Sequence, residues 1–241
     1  AVTLDLIKGY EKAFGTKPPI FAAGTYDAGL LLSNAIPIAA KKGKPGTQEF
    51  RSALRDALGL VFYPPSPRHV DLATAIKLAR AIPPFVTIVG LFVNADPALV
   101  KATLAAVPIH LLQFHGDEDE SYCRQFDRPY MKAARVKPGL DLVQYVAGFP
   151  SAQSILLDAF ADGYGGGGKV FDWGLIPPDL GKPMVLSGGL DAGNVGEAML
   201  RLRPAAVDVS SGVEAARGIK DAEKIRAFVA AVRAVGLMPT D

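Results

Sequence analysis

From Leu58 onward the chain alternates short apolar runs with amphipathic stretches, and this rhythm narrows the fold more than any other feature of the sequence. The candidate strands are Gly59–Tyr63, Val86–Val93, His110–His115, Met131–Val136, Ile155–Ala159, Met184–Ser187 and Ala206–Ser210. Helical patterns run near Asp71–Ala81, Pro97–Ala106, Glu118–Phe126, Asp141–Ala147, Ala192–Arg203 and Asp221–Val235, with one further helical turn around Phe171–Ile176. Strand–helix alternation at this spacing predicts βαβ units and a parallel sheet. The runs are apolar along both faces, as strands are when helices cover one side and packed side chains fill the other. Hydrophobic residues make up 49% of the 241, enough for one large interior, and the length suits a single barrel. The reading is an α/β protein, a (β/α)8 TIM barrel.

Seven strands follow Leu58, and an open sheet of seven would leave two edges exposed. The eighth must come from the N-terminal residues. Pro19–Ala23 is the best candidate, followed by Gly24 and a helix through Thr25–Ala40 that Pro37 kinks or ends. Thr25 suits an N-cap, and Asp27 suits the first turn. Leu4–Phe14 and Thr47–Leu58 are further helical stretches, with a loop at Lys41–Gly46 between them. The expected organisation is one compact domain. Residues 1–57 form a segment supplying strand one and extra helices, and residues 58–241 form units two to eight of the barrel.

Charge excludes several classes of partner. Twenty-six basic residues face 24 acidic ones, too even a balance to drive binding to nucleic acid or a membrane surface. No apolar run reaches the ~20 residues of a spanning helix. Ala1–Asp5 lacks the basic start and apolar core of an export signal. A single cysteine, Cys123, cannot form an internal disulfide, so a reducing compartment, the cytoplasm, fits best. It lies on a helical stretch and reads as a packed thiol rather than a nucleophile. His69, His110 and His115 lack the spacing of a metal-ligand set, so no metal is expected. A monomer and a homodimer both remain open.

The chemistry concentrates just past the C-terminal ends of strands, the face on which barrels react. Ser187-Gly188-Gly189 follows the seventh barrel strand, and Ser210-Ser211-Gly212 follows the eighth. Glycines shape tight turns, but they also let backbone N–H groups cradle an anion, with helix N-termini adding their positive ends. Two such clusters after the last two strands point to a phosphate site. Tyr164 to Lys169, with Gly165, Gly166, Gly167 and Gly168, is either a lid over a ligand or an ordinary connection. Asp158 ends an apolar strand, where a carboxylate is costly unless used or paired, with Lys132 or Arg68 as structural partners to weigh against catalysis. Arg68 follows Pro64-Pro65-Ser66-Pro67, a stiff loop that aims a guanidinium at a carboxylate or phosphate. His115 either donates to substrate or satisfies backbone groups.

Together these stretches resemble one family. Gly59-Leu-Val-Phe-Tyr-Pro-Pro-Ser-Pro-Arg68, Leu112-Gln-Phe-His-Gly-Asp-Glu118, Leu156-Leu-Asp-Ala159, Gly168-Lys-Val-Phe-Asp-Trp173, Leu186-Ser-Gly-Gly-Leu190 and Val207-Asp-Val-Ser-Ser-Gly-Val-Glu214 are similar, in order, to phosphoribosylanthranilate isomerase. The resemblance implies an Amadori rearrangement in tryptophan biosynthesis, in which the ribose ring of phosphoribosylanthranilate opens and a proton leaves C2. It implies Asp158 as the general acid at the ring oxygen and Arg68 at the anthranilate end. His115 and Asp208 are then substrate-binding residues, and Gly188, Gly189, Ser210, Ser211 and Gly212 hold the phosphate. It implies no cofactor.

The family's general base is a cysteine ending strand one, in a Lys-Ile-Cys-Gly-like motif, and this sequence has no such motif. Instead Tyr10-Glu-Lys-Ala-Phe-Gly15, Phe21-Ala-Ala-Gly-Thr-Tyr-Asp-Ala28 and Gly43-Lys-Pro-Gly-Thr-Gln-Glu-Phe-Arg-Ser-Ala-Leu-Arg-Asp-Ala57 resemble periplasmic branched-chain amino-acid binding proteins. The expectation is a chimera in which a foreign segment replaces the first βα unit, with Ala22 or Ala23 near the lost cysteine. General-base catalysis contributes ~10²–10⁴-fold, so the expected activity is impaired. The alternative is an inactive barrel scaffold that keeps its phosphate site.

Overall fold

The computed structural model describes residues 57–82, 86–159 and 171–236. Pro19–Ala23, the rest of residues 1–56 and the glycine loop at 165–168 lie outside them. Seven parallel strands form one sheet in chain order: β1 (Ala57–Val61), β2 (Thr87–Phe92), β3 (Leu111–Phe114), β4 (Tyr130–Val136), β5 (Ser154–Ala159), β6 (Met184–Leu186) and β7 (Ala206–Val207). Each strand pairs with its sequence neighbour, the order a barrel requires. The result is a curled, TIM-barrel-like sheet with helices between the strands. Among the described residues, β1 and β7 are its outer strands.

The helices are α1 (Leu72–Ala81), α2 (Pro97–Ala106), α3 (Glu120–Arg124), α4 (Leu142–Ala147), α5 (Val195–Leu202) and α6 (Ala222–Gly236). Aspartate starts most of them. Asp71, Asp96, Asp119 and Asp141 stand in extended backbone and accept the N–H of Thr74, Ala98, Tyr122 and Gln144. Asp221 does the same for Glu223 and Lys224. These carboxylates satisfy amides that have no partner within the helix.

Two helices are shorter than the sequence predicts. The Glu118–Phe126 pattern contracts to α3 because Glu118 pairs with the buried Lys132 and Asp119 becomes the cap. The Ala192–Arg203 pattern contracts to α5 because Asp191 folds Gly193 and Asn194 into a turn, and Arg203 ends the helix in left-handed backbone. The last strand is also shorter than Ala206–Ser210. Asp208 keeps one ladder bond to Leu186, and then the chain turns into a 3-10 segment, Ser211–Val213. A two-stranded antiparallel hairpin that the sequence reading missed comes next, β8 (Glu214–Ala216) and β9 (Ile219–Lys220).

Period-two alternation sorts the strand side chains into two layers. Outward residues such as Leu60, Ile88, Phe92, Leu112, Phe114, Ile155 and Leu157 pack beneath α1 to α4. Phe62 stacks on Phe92 with ring centroids 5.1 Å apart. Burying each large apolar side chain of this layer contributes about 1.5–3 kcal/mol. Inward residues Val89, Met131, Ala133 and Leu156, with Leu111 and Val185, fill the sheet's concave side. Lys132 belongs to the outward set. It ties Glu118 to the β3 end between sheet and helices, away from the concave mouth.

Candidate functional site

The same alternation decides which polar residues enter the mouth. On β3, Leu111 points inward, so Gln113 and His115 follow it. On β4, Met131 and Ala133 carry Arg135 inward, and on β5 Leu156 carries Asp158. On the last two strands Val185 brings Ser187 inward, and Asp208 faces opposite to the outward Val207 and Val209. These residues share the C-terminal rim, the reactive face of such a barrel.

Asp158 is the centre of this group. His115 Nε2 lies 3.1 Å from its Oδ2, and the Ala159 N–H donates to Oδ1 at 2.9 Å. Gln113 Nε2 stands 3.1 Å from His115 Nδ1. With that amide as donor, the imidazole proton resides on Nε2 and is given to Asp158. The carboxyl therefore has its orientation set by a buried chain of three side chains. Lys132 and Arg68, weighed in the sequence as its structural partners, are both engaged elsewhere. Lys132 pairs with Glu118 at 3.0 Å, and Arg68 pairs with Glu214.

Asp208 stands at the end of β7, half-buried as a residue with its carboxylate desolvated. Loss of water pushes its pKa up, and the negative charge of Asp158 adds to this. The Ser187 hydroxyl, donating at 2.9 Å, and the Lys220 ammonium oppose it. The two carboxyls thus sense each other across the mouth.

The glycine turns join this rim. Gly188 has φ +82°, and a Cβ there would stand 2.5 Å from the Ala159 nitrogen and 3.1 Å from Asp158 Oδ1. Only a residue without a side chain lets this turn pass so close to the carboxyl. At Gly212 a Cβ would run into the Leu190 carbonyl, so the Ser210-Ser211-Gly212 turn rests on the backbone of Leu190 and Asp191, directly after Gly189. Both glycine clusters and Asp158 therefore occupy one rim.

Arg68 reaches the mouth from the loop after β1. Its Nε and Nη2 donate to the two oxygens of Glu214 at 2.6 and 2.9 Å. Burial alone would raise the Glu214 carboxyl, but hydrogen bonds from Arg68, Lys220 and the Gly218 amide outweigh it and hold it at about 2. Arg135, the register partner of Asp158, donates to Asp117 at 2.9 Å. Cys123, by contrast, is fully buried on the inner face of α3, where desolvation pushes its thiol up to about 12. Among the described residues no group of three or more His, Cys, Asp and Glu side chains is placed to hold a metal, and no helix is long and apolar enough to cross a membrane.

Gln113, Arg135, Glu214 and Lys220 were not singled out from the sequence. Counting residues in steps of two from Leu111 and Met131 would have found the first two. Nothing local marks the others, because their partners lie far along the chain.

Comparison with known proteins gives a consistent result. The family model of N-(5'-phosphoribosyl)anthranilate (PRA) isomerase matches residues 42–231. The N-(5'-phosphoribosyl)anthranilate isomerase of Dechloromonas aromatica is 64% identical over 178 residues, covering 74% of this chain and 86% of that one. The Pseudomonas aeruginosa LESB58 enzyme is 58% identical, covering 74% and 85%. The crystal structure of phosphoribosyl anthranilate isomerase from Thermotoga maritima aligns with a TM-score of 0.68 at 40% identity, over 74% of this chain and 88% of that one. A crystal structure of the isomerase in complex with reduced 1-(o-carboxyphenylamino)-1-deoxyribulose 5-phosphate aligns at 0.65 and 37%, over 74% and 88%. The family match begins at residue 42, one residue before the Gly43–Ala57 stretch, and so takes that stretch in.

Proposed function

The chain belongs to the N-(5'-phosphoribosyl)anthranilate isomerase family, and on that footing we propose that its rim binds N-(5'-phosphoribosyl)anthranilate and directs the Amadori rearrangement. Asp158 is the general acid. In its protonated form it gives that proton to the furanose ring oxygen as the C1–O bond breaks, leaving a protonated imine at C1 and the Asp158 carboxylate. Removal of the C2 proton then gives the enolamine, which tautomerises to the ketone. His115 and Gln113 hold the Asp158 carboxyl toward the substrate, and Asp208, its carboxyl held above the usual range by burial, faces the sugar hydroxyls. The turns at Gly188, Gly189, Ser210, Ser211 and Gly212 cradle the phosphate. Arg68 meets the anthranilate carboxylate with the part of its guanidinium that Glu214 leaves open.

The observation that carries this reading is the meeting of Asp158 with the Gly188 turn. An acid at the ring oxygen and a phosphate at C5 lie within one small sugar, so the two protein groups must share a rim.

The proton at C2 is the weak step. The family base is a cysteine, and the single cysteine of this sequence is buried on the inner face of α3 with its thiol pushed up to about 12. It cannot serve as a base at neutral pH. In this reading the first βα unit is replaced by residues 1–57, and turnover is impaired or lost while binding persists. The biosynthetic family and a single cysteine support a cytoplasmic location.

Two measurements on the full chain test this. Steady-state turnover of phosphoribosylanthranilate should be low, and calorimetric titration with the reduced product analogue should show binding. A chain that neither turns over the substrate nor binds the analogue would refute the proposal.

A further inference from the structure

The β8–β9 hairpin touches both ends of the proposed site. At its start Glu214 receives the Arg68 fork at 2.6 and 2.9 Å, with both side chains largely buried. At its end Lys220 donates to Glu214 Oε1 at 3.1 Å and to the Ser210 carbonyl at 2.8 Å. One ammonium thus ties the Arg68 partner to the turn proposed for phosphate. At its tip Gly218, with φ +82°, lies against the loop that bears Arg68. A Cβ there would stand 2.7 Å from the Pro67 carbonyl oxygen. Lys224 of α6 fixes the base of the hairpin by donating to the Glu214 carbonyl at 2.7 Å.

A forked arginine–carboxylate pair sets the plane of the guanidinium as well as its position. Here the fork occupies Nε and Nη2, so the direction in which Arg68 can offer Nη1 to a second anion is set by Glu214. The hairpin has no other evident task at the mouth. It is too short to cover a core, and Ala215, Ala216 and Arg217 are exposed.

We propose that the β8–β9 hairpin is a spacer that fixes Arg68 relative to the phosphate turn, with Glu214 and Lys220 as positioning residues for recognition of the substrate's aromatic-acid end. Neither residue touches the substrate; Glu214 acts through Arg68, and Lys220 acts through Glu214 and Ser210. The inference rests on the isomerase reading of the rim.

The test is calorimetric titration of the full chain with two probes: the reduced product analogue, and the same molecule with a phenyl ring lacking the carboxylate. The Glu214→Gln variant should bind the carboxylated probe ~10-fold more weakly, the scale of one misplaced charge-assisted hydrogen bond, and the phenyl probe within ~2-fold. Gly218→Ala, which displaces the Pro67 loop without altering a charge, should show the same pattern. Lys220→Met, which also frees the Ser210 turn, should weaken both probes. Equal losses on the two probes in Glu214→Gln and Gly218→Ala, or no loss in either, overturn the spacer. A wild-type chain that binds neither probe overturns the isomerase reading and the spacer with it. Binding by the wild type without discrimination in the variants overturns the spacer alone.

Discussion

Replacing Lys132 by Met should destabilise the fold by about 3–5 kcal/mol, the cost of stripping one partner from a buried ion pair. The Lys132 side chain is 1% exposed and that of Glu118 is 2%, with 3.0 Å between charged atoms. The ammonium also donates to the Gly116 carbonyl at 2.6 Å and lies 5.6 Å from the centre of the Phe149 ring. Glu118 accepts the amides of Asn94 and Gly116 at 2.7 and 2.8 Å. Without Lys132 it would keep those two hydrogen bonds but remain a buried anion with no counter-charge, and the Gly116 carbonyl would lose its donor. Methionine fills most of the volume, so the loss is electrostatic rather than a cavity. Urea unfolding at pH 7, followed by circular dichroism, gives the free energy directly. A melting point about 10 °C lower is the thermal counterpart for a chain of this size. The double variant Lys132→Met with Glu118→Gln should be less destabilised than the sum of its parts, because the orphaned charge is gone. A single-variant loss below ~1 kcal/mol would refute the reasoning, since it would mean that water reaches the pair.

Three further outcomes follow from the rim. Asp158→Asn keeps the shape but cannot give a proton, so any turnover of phosphoribosylanthranilate should fall at least ~10²-fold while the reduced product analogue still binds; unchanged turnover would remove Asp158 from the acid role. Gly188→Ala places a Cβ 2.5 Å from the Ala159 nitrogen in left-handed backbone, so titration with inorganic phosphate should show clearly weaker binding than in the wild type, and equal affinity would argue against a phosphate site at this turn. Acid should unlock Glu214 late. Its carboxyl falls from 4.5 to about 2 on folding, so its contribution is complete above pH ~4.5 and is lost as pH falls through about 2. The shift sets a ceiling of ~3 kcal/mol, and solvent screening at the rim reduces this to about 1–2 kcal/mol. Wild type and Glu214→Gln should therefore converge in urea stability as pH drops from 5 to 2, and parallel curves would contradict the assignment.

Much of the architecture was legible because it depends on local patterns. The Pro97–Ala106 helix has the predicted bounds, and the strands from β2 to β6 lie within a residue of the apolar runs. Asp158 stood out because a carboxylate ending Ile-Leu-Leu is costly anywhere but in a used or paired position. Its partner was misjudged. Lys132 lies nearby in the sheet, yet strand alternation sends it to the opposite face from Asp158. Arg68 is claimed by Glu214, 146 residues away, on a hairpin with too little apolar pattern to announce itself.

Residue order alone determined the parallel alternation, the aspartate caps, the glycine turns after the last two strands and the family. Each of these depends on neighbours within a turn or a strand, and so is written locally. Only the folded chain decided that His115 holds Asp158, that the Gly212 turn rests on Leu190, and that Arg68 and the Ser210 turn share one hairpin. Such contacts are made by strands that the curl of the sheet brings together. No short-range pattern encodes which distant side chain will be standing there.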